Sequence, residues 1–252
     1  MPTYAAGRFS KSEVFELPWM TVSAKAGSQA FWDYVQKNSL DEFKGTHLIF
    51  LHLHDGAVLH TSGKVVKTLA DLRGLKIRGA TRINARMLVA LGATPVQMPL
   101  PQVPDAMSKG VIDGAVIPWE VVPSVKVNEL AKFHSEFDPK LPALYTTTFV
   151  MAMNKAKYDA LPADLKKVID ANSGLETSAW LGKTQEGNDP RGRKTAEERN
   201  NTITRLTAAD YEAFRKAADL VDDDWVKEMS GKGINGKQLL DAAKALIQKN
   251  TK

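Results

Sequence analysis

The sequence predicts an α/β fold, on three observations. Short β-prone apolar segments alternate with amphipathic helical segments over residues 75–117, which is typical of parallel α/β packing. Apolar residues make up 43% of the chain and the formal net charge is only +5, so a packed core is expected rather than disorder. The 252 residues suffice for one large domain or two small lobes.

The N-terminal third predicts one helix and one strand. Residues 1–20 show little periodicity and are expected to form an irregular entry. Apolar residues at helical spacing predict a helix over 24–37, with Ser23 as its N-cap. The apolar run 48–53, which an Asp-Gly pair follows, predicts a buried strand.

The central third carries the alternating pattern. Arg78, Met98 and Ile117 fall at the carboxyl ends of three predicted strands, where parallel sheets bind their ligands. The predicted strands are 75–78, 94–98 and 114–117, and the predicted helices are 81–91, 102–109 and 119–130.

The C-terminal third predicts a longer strand and several helices. A Thr-Ala-Ala-Asp segment from Thr207 predicts a capped helix start. The predicted elements are a strand over 145–153, a helix over 161–186 that residues 188–192 end, a strand over 202–206, a helix after Thr207 and a last helix over 237–248.

Motifs for catalysis and for cofactor binding are missing from the sequence. It contains no cysteine, no GxSxG, no Lys-Ser/Thr phosphate loop and no GxGxxG. His52 and His54 share one face of a predicted strand, a spacing compatible with a metal, but no third ligand is evident. We therefore predict no metal, no cofactor and no catalysis, and a binding function instead. The small, dispersed positive charge does not indicate a nucleic-acid partner.

Two residues of the predicted binding edge have both a functional and a structural interpretation. Arg78 at the end of a strand suits a bidentate contact with a carboxylate, but it would equally suit an inter-lobe salt bridge. Trp119 could stack on a ligand or pack in the core between helix and sheet.

Several motifs occur in a familiar order. The sequence contains FELPW at 15–19, TLADLRGLKIR at 68–78, LGATPVQMP at 91–99, GVIDG at 110–114 and LPADL at 161–165. Their order and spacing resemble those of the solute-binding proteins of TRAP transporters, the tripartite ATP-independent periplasmic family, over nearly the whole chain.

This resemblance implies a periplasmic receptor of two α/β lobes, joined by hinge strands and spanned by a long helix. Residues 1–55 and 145–205 would form the N-terminal-type lobe, 56–144 the second lobe, and 206–252 helices that pack across both. Such a receptor is expected to be a monomer that delivers a small organic acid to the membrane permease subunits. Relative to the family, the signal peptide and about the first βαβα portion are missing, so an incomplete N-terminal lobe is expected.

The resemblance also implies site residues. The carboxylate-binding arginine of the family matches Arg78, and Thr81 matches a position beside the carboxylate. The full set of predicted ligand-binding residues is His54, Val58, Arg78, Thr81, Leu100, Ile117, Trp119, Thr147 and Phe149.

Two departures from the family pattern point to the ligand. Val58 stands where many members have a second arginine, and Ile117 replaces an amide side chain. A dicarboxylate or sugar acid would lose polar partners there, at roughly 1–3 kcal/mol for each unpaired group. We therefore predict a monocarboxylate with an apolar or aromatic body, such as an aromatic 2-oxo or 2-hydroxy acid.

The sequence is also compatible with two other functions. An α/β enzyme could anchor a small carboxylic acid with Arg78 and use a histidine between 52 and 60 as general base, which requires turnover. A weak binder of anions or nucleic acid would use the net charge, and its affinity would collapse with added salt.

Overall fold

The computed structural model describes residues 1, 5 and 7–251. Within this part of the chain, eight strands form a two-stranded and a six-stranded sheet. The strands are β1 (Thr46–Leu53), β2 (Val58–Thr61), β3 (Lys76–Gly79), β4 (Thr94–Gln97), β5 (Gly114–Ile117), β6 (Phe133–Glu136), β7 (Thr148–Asn154) and β8 (Thr202–Arg205).

The helices lie between and around these strands. The described α-helices are α1 (Ala24–Tyr34), α2 (Leu69–Leu72), α3 (Arg82–Ala90), α4 (Val103–Ser108), α5 (Val127–Leu130), α6 (Lys155–Asp159), α7 (Ala163–Ala171), α8 (Leu175–Glu197), α9 (Ala208–Ala218), α10 (Leu220–Gly231) and α11 (Gly236–Thr251). Single turns of other helix types occur at Ser12–Glu16, Val35–Ser39, Leu40–Phe43, Leu100–Gln102 and Trp119–Val121.

The six-stranded sheet has the order β4-β3-β5-β2-β6-β8. β3 runs parallel to both β4 and β5, so the parallel α/β arrangement predicted for residues 75–117 is confirmed. β2 is antiparallel to its neighbours β5 and β6. The carboxyl ends of β3 and β5 therefore open at one edge of the sheet.

The second sheet consists of β1 and β7, which pair antiparallel with Leu53 opposite Thr148. Helix α1 packs against β1, and its start is the one that the sequence predicts, since the Ser23 side chain accepts a hydrogen bond from the Ala26 N–H at 3.1 Å. The Thr207 cap of α9 is confirmed in the same way, because its side chain accepts from the Asp210 N–H.

The chain crosses between the two sheets at residues 54–57 and 137–147, and again through α8. Helix α8 packs against α1 and β1 on one side and against Trp119–Val121 on the other. Gly182 and Gly192 permit this approach, because a Cβ atom at either position would overlap a backbone carbonyl of Ala24 or Trp119. The molecule is thus a two-lobed α/β protein with a long helix along both lobes.

The prediction of a single helix over 161–186, ended by residues 188–192, is wrong. Helix α7 ends at Ala171, Gly174 adopts a φ of +99° before α8, and α8 then continues through Pro190 to Glu197. Proline inside a helix costs roughly 3 kcal/mol. The contacts of α8 with both lobes offset this cost, and the composition of residues 188–192 does not reveal them.

The prediction of a helix over 119–130 is also wrong. The structure has one turn at Trp119–Val121 and the short α5, separated by Pro123 and by Lys126 with a φ of +54°. Strands β2 and β6 were missed because several of their buried residues are polar. In these strands, His60 and His134 lie opposite one another in the pairing register.

The division of the chain into lobes remains a prediction, and one strand bears on its bounds. Residues 145–205 are predicted to belong to the N-terminal-type lobe. Their last strand, β8, pairs with β6 and so extends the six-stranded sheet, not the sheet of β1 and β7.

Candidate functional site

A cavity of about 390 Å³ lies between the two sheets. The connection after β1 and the segment at β7 line one side, and the carboxyl-end edge of the six-stranded sheet lines the other. The lining residues are Met1, Ala5, Phe9, His54, Arg78, Ala80, Leu100, Ile117, Pro118, Glu120, Val121, Tyr145, Thr147, Phe149 and Val150. A cleft that is mostly apolar with a few convergent polar groups is the usual form of a small-molecule site.

Arg78 is the only lysine or arginine side chain among the described residues that line this cavity. It lies on β3 between β4 and β5 and is only 4% exposed. Its Nε–H donates to the Met98 carbonyl at 3.1 Å, which fixes the orientation of the guanidinium plane. The sequence-predicted anchor is therefore rigidly placed at the cavity wall.

Aromatic rings stand beside this arginine. The His54 ring lies edge-on to Tyr145 at 5.6 Å between centroids and is tilted against Phe149 at 6.0 Å. The Tyr145 hydroxyl donates to the Val116 carbonyl at 2.8 Å, so this ring is fixed as well. Burial raises the pKa of Tyr145 to about 12, against the opposing effect of the Arg78 charge. Tyr145 is therefore neutral in the physiological range.

His54 is uncharged for a related reason. Burial, with smaller contributions from the charges of His52 and Arg78, lowers the pKa of His54 to about 4, although the hydrogen bond to the Asp55 backbone opposes this shift. The ring is held by a hydrogen bond between Nδ1 and the Asp55 carbonyl oxygen at 2.5 Å. Among the described side chains that line the cavity, Arg78 therefore supplies the positive charge, beside a neutral imidazole.

A buried carboxyl group accepts hydrogen bonds from the first residue of β7. Glu16 is fully buried and its Oε1 accepts hydrogen bonds from the Thr148 N–H at 3.0 Å and the Thr148 hydroxyl at 2.6 Å. Burial raises the pKa of Glu16, while the hydrogen bonds from Thr148 oppose that rise. Thr81 caps α3 by accepting from the Asn84 N–H.

The structure brings six of the nine predicted site residues together. His54, Arg78, Leu100, Ile117, Thr147 and Phe149 all line the cavity.

The other three predicted residues lie elsewhere. Thr81 is buried at the start of α3 and does not line the cavity. Val58 and Trp119 line a second cavity of about 440 Å³ on the far side of the 117–121 segment. The Trp119 Nε1–H donates to Glu136 at 3.1 Å, as expected of a tryptophan packed between helix and sheet.

Three carboxyl groups meet where α8 crosses both lobes. The Asp55 and Asp189 side chains share a hydrogen bond, and the Glu120 N–H donates to Asp189 Oδ1 at 2.9 Å. Burial, and next the charge of Asp55, raises the pKa of Asp189 to about 8. Burial and the charge of Asp55 likewise raise the pKa of Glu120 to about 7.

Sequence reasoning missed several lining residues, chiefly Tyr145, Ala80, Glu120 and Val121. Glu120 and Val121 follow the last residue of β5 by three and four positions, and Ala80 directly follows β3. Residues that follow the carboxyl ends of parallel strands often line a ligand site, so the sequence could have indicated these three. Tyr145 lies inside a segment predicted to be strand, and the sequence gives no sign that it faces the cleft.

A metal centre finds no support in the described residues, since no three histidine or acidic side chains there are grouped to hold an ion. His52 stacks on Phe149 instead, with ring centroids 4.8 Å apart. Among the helices of the described chain, none combines the length and apolar character that crossing a bilayer requires.

Comparison with known proteins identifies the class. Residues 2–228 match the family of bacterial extracellular solute-binding proteins, family 7, also named DctP. The match covers most of the chain, and the chain belongs to this family of solute-binding receptors.

Three solved structures are similar to the whole chain. A TRAP solute-binding protein from Rhodoferax ferrireducens T118, in complex with copurified benzoate, is 55% identical with a TM-score of 0.98, over 100% of this chain and 78% of that chain. A marine metagenome protein specific for aromatic acids, with 3-hydroxybenzoate, is 42% identical with a TM-score of 0.96, over 99% and 78%. A Bordetella bronchiseptica protein with bound (R)- and (S)-mandelate is 29% identical with a TM-score of 0.87, over 98% and 78%.

Proposed function

We propose that this receptor binds an aromatic monocarboxylate in the cavity between its lobes, with Arg78 as the carboxylate anchor. One observation carries the proposal: a single buried arginine stands in a cavity that is otherwise lined mostly by apolar and aromatic side chains. The ligands of the three similar structures, benzoate, 3-hydroxybenzoate and mandelate, are all of this chemical class.

The lining residues suit the two parts of such a ligand, its carboxylate and its aromatic body. The guanidinium presents a planar array of donors that matches a carboxylate in two parallel hydrogen bonds. Leu100, Ile117 and Phe149 offer contact surface to an apolar body. Aromatic rings gain further stabilisation from edge-on and offset contacts, which Tyr145 and Phe149 can provide.

A second carboxylate finds no further lysine or arginine side chain among the described lining residues. Glu120 is the acidic side chain of the lining, and its carboxyl would repel an anion when it is ionised. Ile117 supports the sequence-based argument against dicarboxylates because it lines the cavity. Val58 does not, because it lies at the other cavity.

We further propose that the protein acts outside the cytoplasm, in the periplasm, as a monomer that delivers its ligand to TRAP permease subunits. Membership of an extracellular solute-binding family and the similarity to TRAP receptors support this role. Fractionation of cells that express the native gene should recover the protein in the periplasmic fraction. Recovery with the cytosol would contradict the proposal.

Isothermal titration calorimetry with four acids tests the ligand class. Benzoate and benzoylformate should bind with a 1:1 stoichiometry, whereas succinate and sialate should show at least about tenfold weaker binding, since each unpaired polar group costs roughly 1–3 kcal/mol. A preference for succinate or sialate over both aromatic acids would refute the proposal.

A further inference from the structure

The hydrogen bond of His54 determines which of its ring nitrogens carries the proton. The Asp55 carbonyl oxygen, 2.5 Å from Nδ1, can only accept a hydrogen bond. Nδ1 must therefore carry the hydrogen. Because burial keeps this imidazole neutral, Nε2 is left with a lone pair and acts as an acceptor.

The position of this acceptor follows from the same contact. The two ring nitrogens are separated by one carbon and their hydrogen-bonding directions diverge widely, so Nε2 does not face the Asp55 carbonyl that holds Nδ1. His54 is 5% exposed and lines the cavity, and no described residue donates a hydrogen bond to its Nε2. A ligand in the cavity is therefore the natural source of a donor for this atom.

We propose that His54 Nε2 accepts a hydrogen bond from a hydroxyl group at carbon 2 of the ligand, so that the site selects aromatic 2-hydroxy acids. This inference rests on the proposed function, in which Arg78 holds the carboxylate. Arg78 and His54 line the same cavity, so a ligand that Arg78 holds by its carboxylate comes within reach of the His54 ring.

The same geometry discriminates against two close analogues. A 2-oxo acid presents a carbonyl oxygen at carbon 2, which would face the lone pair of Nε2 without any proton between them. An acid that lacks the hydroxyl leaves Nε2 desolvated and unpaired. Sites built around a buried polar group reject ligands that leave it unpaired.

Calorimetry with four ligands that share a phenyl ring and a carboxylate tests this selection. The ligands are mandelate, benzoylformate, phenylacetate and 3-hydroxyphenylacetate. In the wild type, mandelate should bind about tenfold more tightly than the other three, the size expected for one neutral hydrogen bond. In His54→Phe, which keeps a ring against Tyr145 and Phe149, the four affinities should converge to within about threefold.

A control variant and the ratio of affinities distinguish a loss of selectivity for the 2-hydroxyl group from a general loss of binding. His47→Phe replaces a histidine that stacks on Tyr158 away from the cavity, and it should retain the wild-type order. An unchanged ratio of mandelate to phenylacetate affinity in His54→Phe would overturn the inference while leaving the proposed function intact. A His54-dependent preference for 3-hydroxyphenylacetate would overturn the assignment to carbon 2. If the wild type binds none of the four acids, the proposed function itself fails.

Discussion

The carboxyl pair at the crossing of α8 gives a prediction about stability and pH. Asp55 and Asp189 share a hydrogen bond, which requires a proton on one of them. Replacing Asp189 with asparagine keeps an oxygen that can accept from the Glu120 N–H and an amide that can donate to Asp55. The variant therefore keeps the contacts but no longer binds the proton.

The sign of the effect follows from the two protonation states. Asp189 has a pKa of about 8 in the folded protein, against about 3.9 for an unfolded aspartate. Between these values the folded state holds a proton that the unfolded state has released, so the free energy of unfolding falls as pH rises. One full proton corresponds to about 1.4 kcal/mol per pH unit.

The expected fall in the free energy of unfolding is smaller than 1.4 kcal/mol per pH unit. Asp189 is only half-buried, and near its pKa the proton is partly released. We expect a fall of about 0.5–1 kcal/mol between pH 7 and 8 in the wild type, or roughly 1–4 °C in Tm. Histidines contribute little in this window, because unperturbed imidazole has already lost its proton there.

Thermal unfolding followed by circular dichroism at pH 7.0, 7.5 and 8.0 measures this slope. Asp189→Asn should show a flatter slope and a higher Tm than the wild type at pH 8.0. Asp224→Asn, a change at an exposed position of α10, serves as the control and should keep the wild-type slope. An Asp189→Asn slope equal to that of the wild type would refute the shared proton.

Two further predictions concern packing and acid sensitivity. Gly192→Ala should destabilise the protein by about 2–4 kcal/mol in urea unfolding because the new Cβ atom overlaps the Trp119 carbonyl. Gly187→Ala, in open space on the same helix, should instead stabilise the protein by about 0.5–1 kcal/mol. Equal effects of the two substitutions would contradict the close contact of α8 with Trp119. Burial lowers the pKa of His134 to about 4 and also lowers that of its partner His60. The wild type should therefore lose stability relative to His134→Gln as the pH falls from 6.5 to 4.5. Parallel curves of Tm against pH for the two proteins would contradict this.

The sequence predicts the parallel region well because local signals and tertiary structure agree there. The segments of β3, β4 and β5 are short and bounded by glycine or proline, and the helix over 81–91 ends at Gly92, which adopts a φ of +91°. Arg78 follows directly from this pattern, since it ends a strand at the ligand-binding edge. In such a region, knowing the element boundaries is enough to place a side chain at the cavity.

Long-range packing accounts for what the sequence does not reveal. Pro190 and Gly192 have the composition of a turn, yet they lie in α8 because the glycine permits contact with a segment some 70 residues earlier in the chain. Long-range packing also decides which residues line the site. Trp119 and Ile117 are two positions apart, but they face different cavities, and only the path of the chain after β5 decides this.

The Arg78 guanidinium is the group on which the account depends, and the affinity for benzoate tests it most directly. Arg78→Met keeps the aliphatic stem and removes the charge, while Arg73→Ala removes an exposed arginine outside the cavity as a control. We expect benzoate to lose about a hundredfold in Kd with Arg78→Met, since hydrogen bonds to charged groups contribute about 1.5–3 kcal/mol each. Arg73→Ala should bind like the wild type. Benzoate binding by a folded Arg78→Met variant at wild-type affinity would contradict the account.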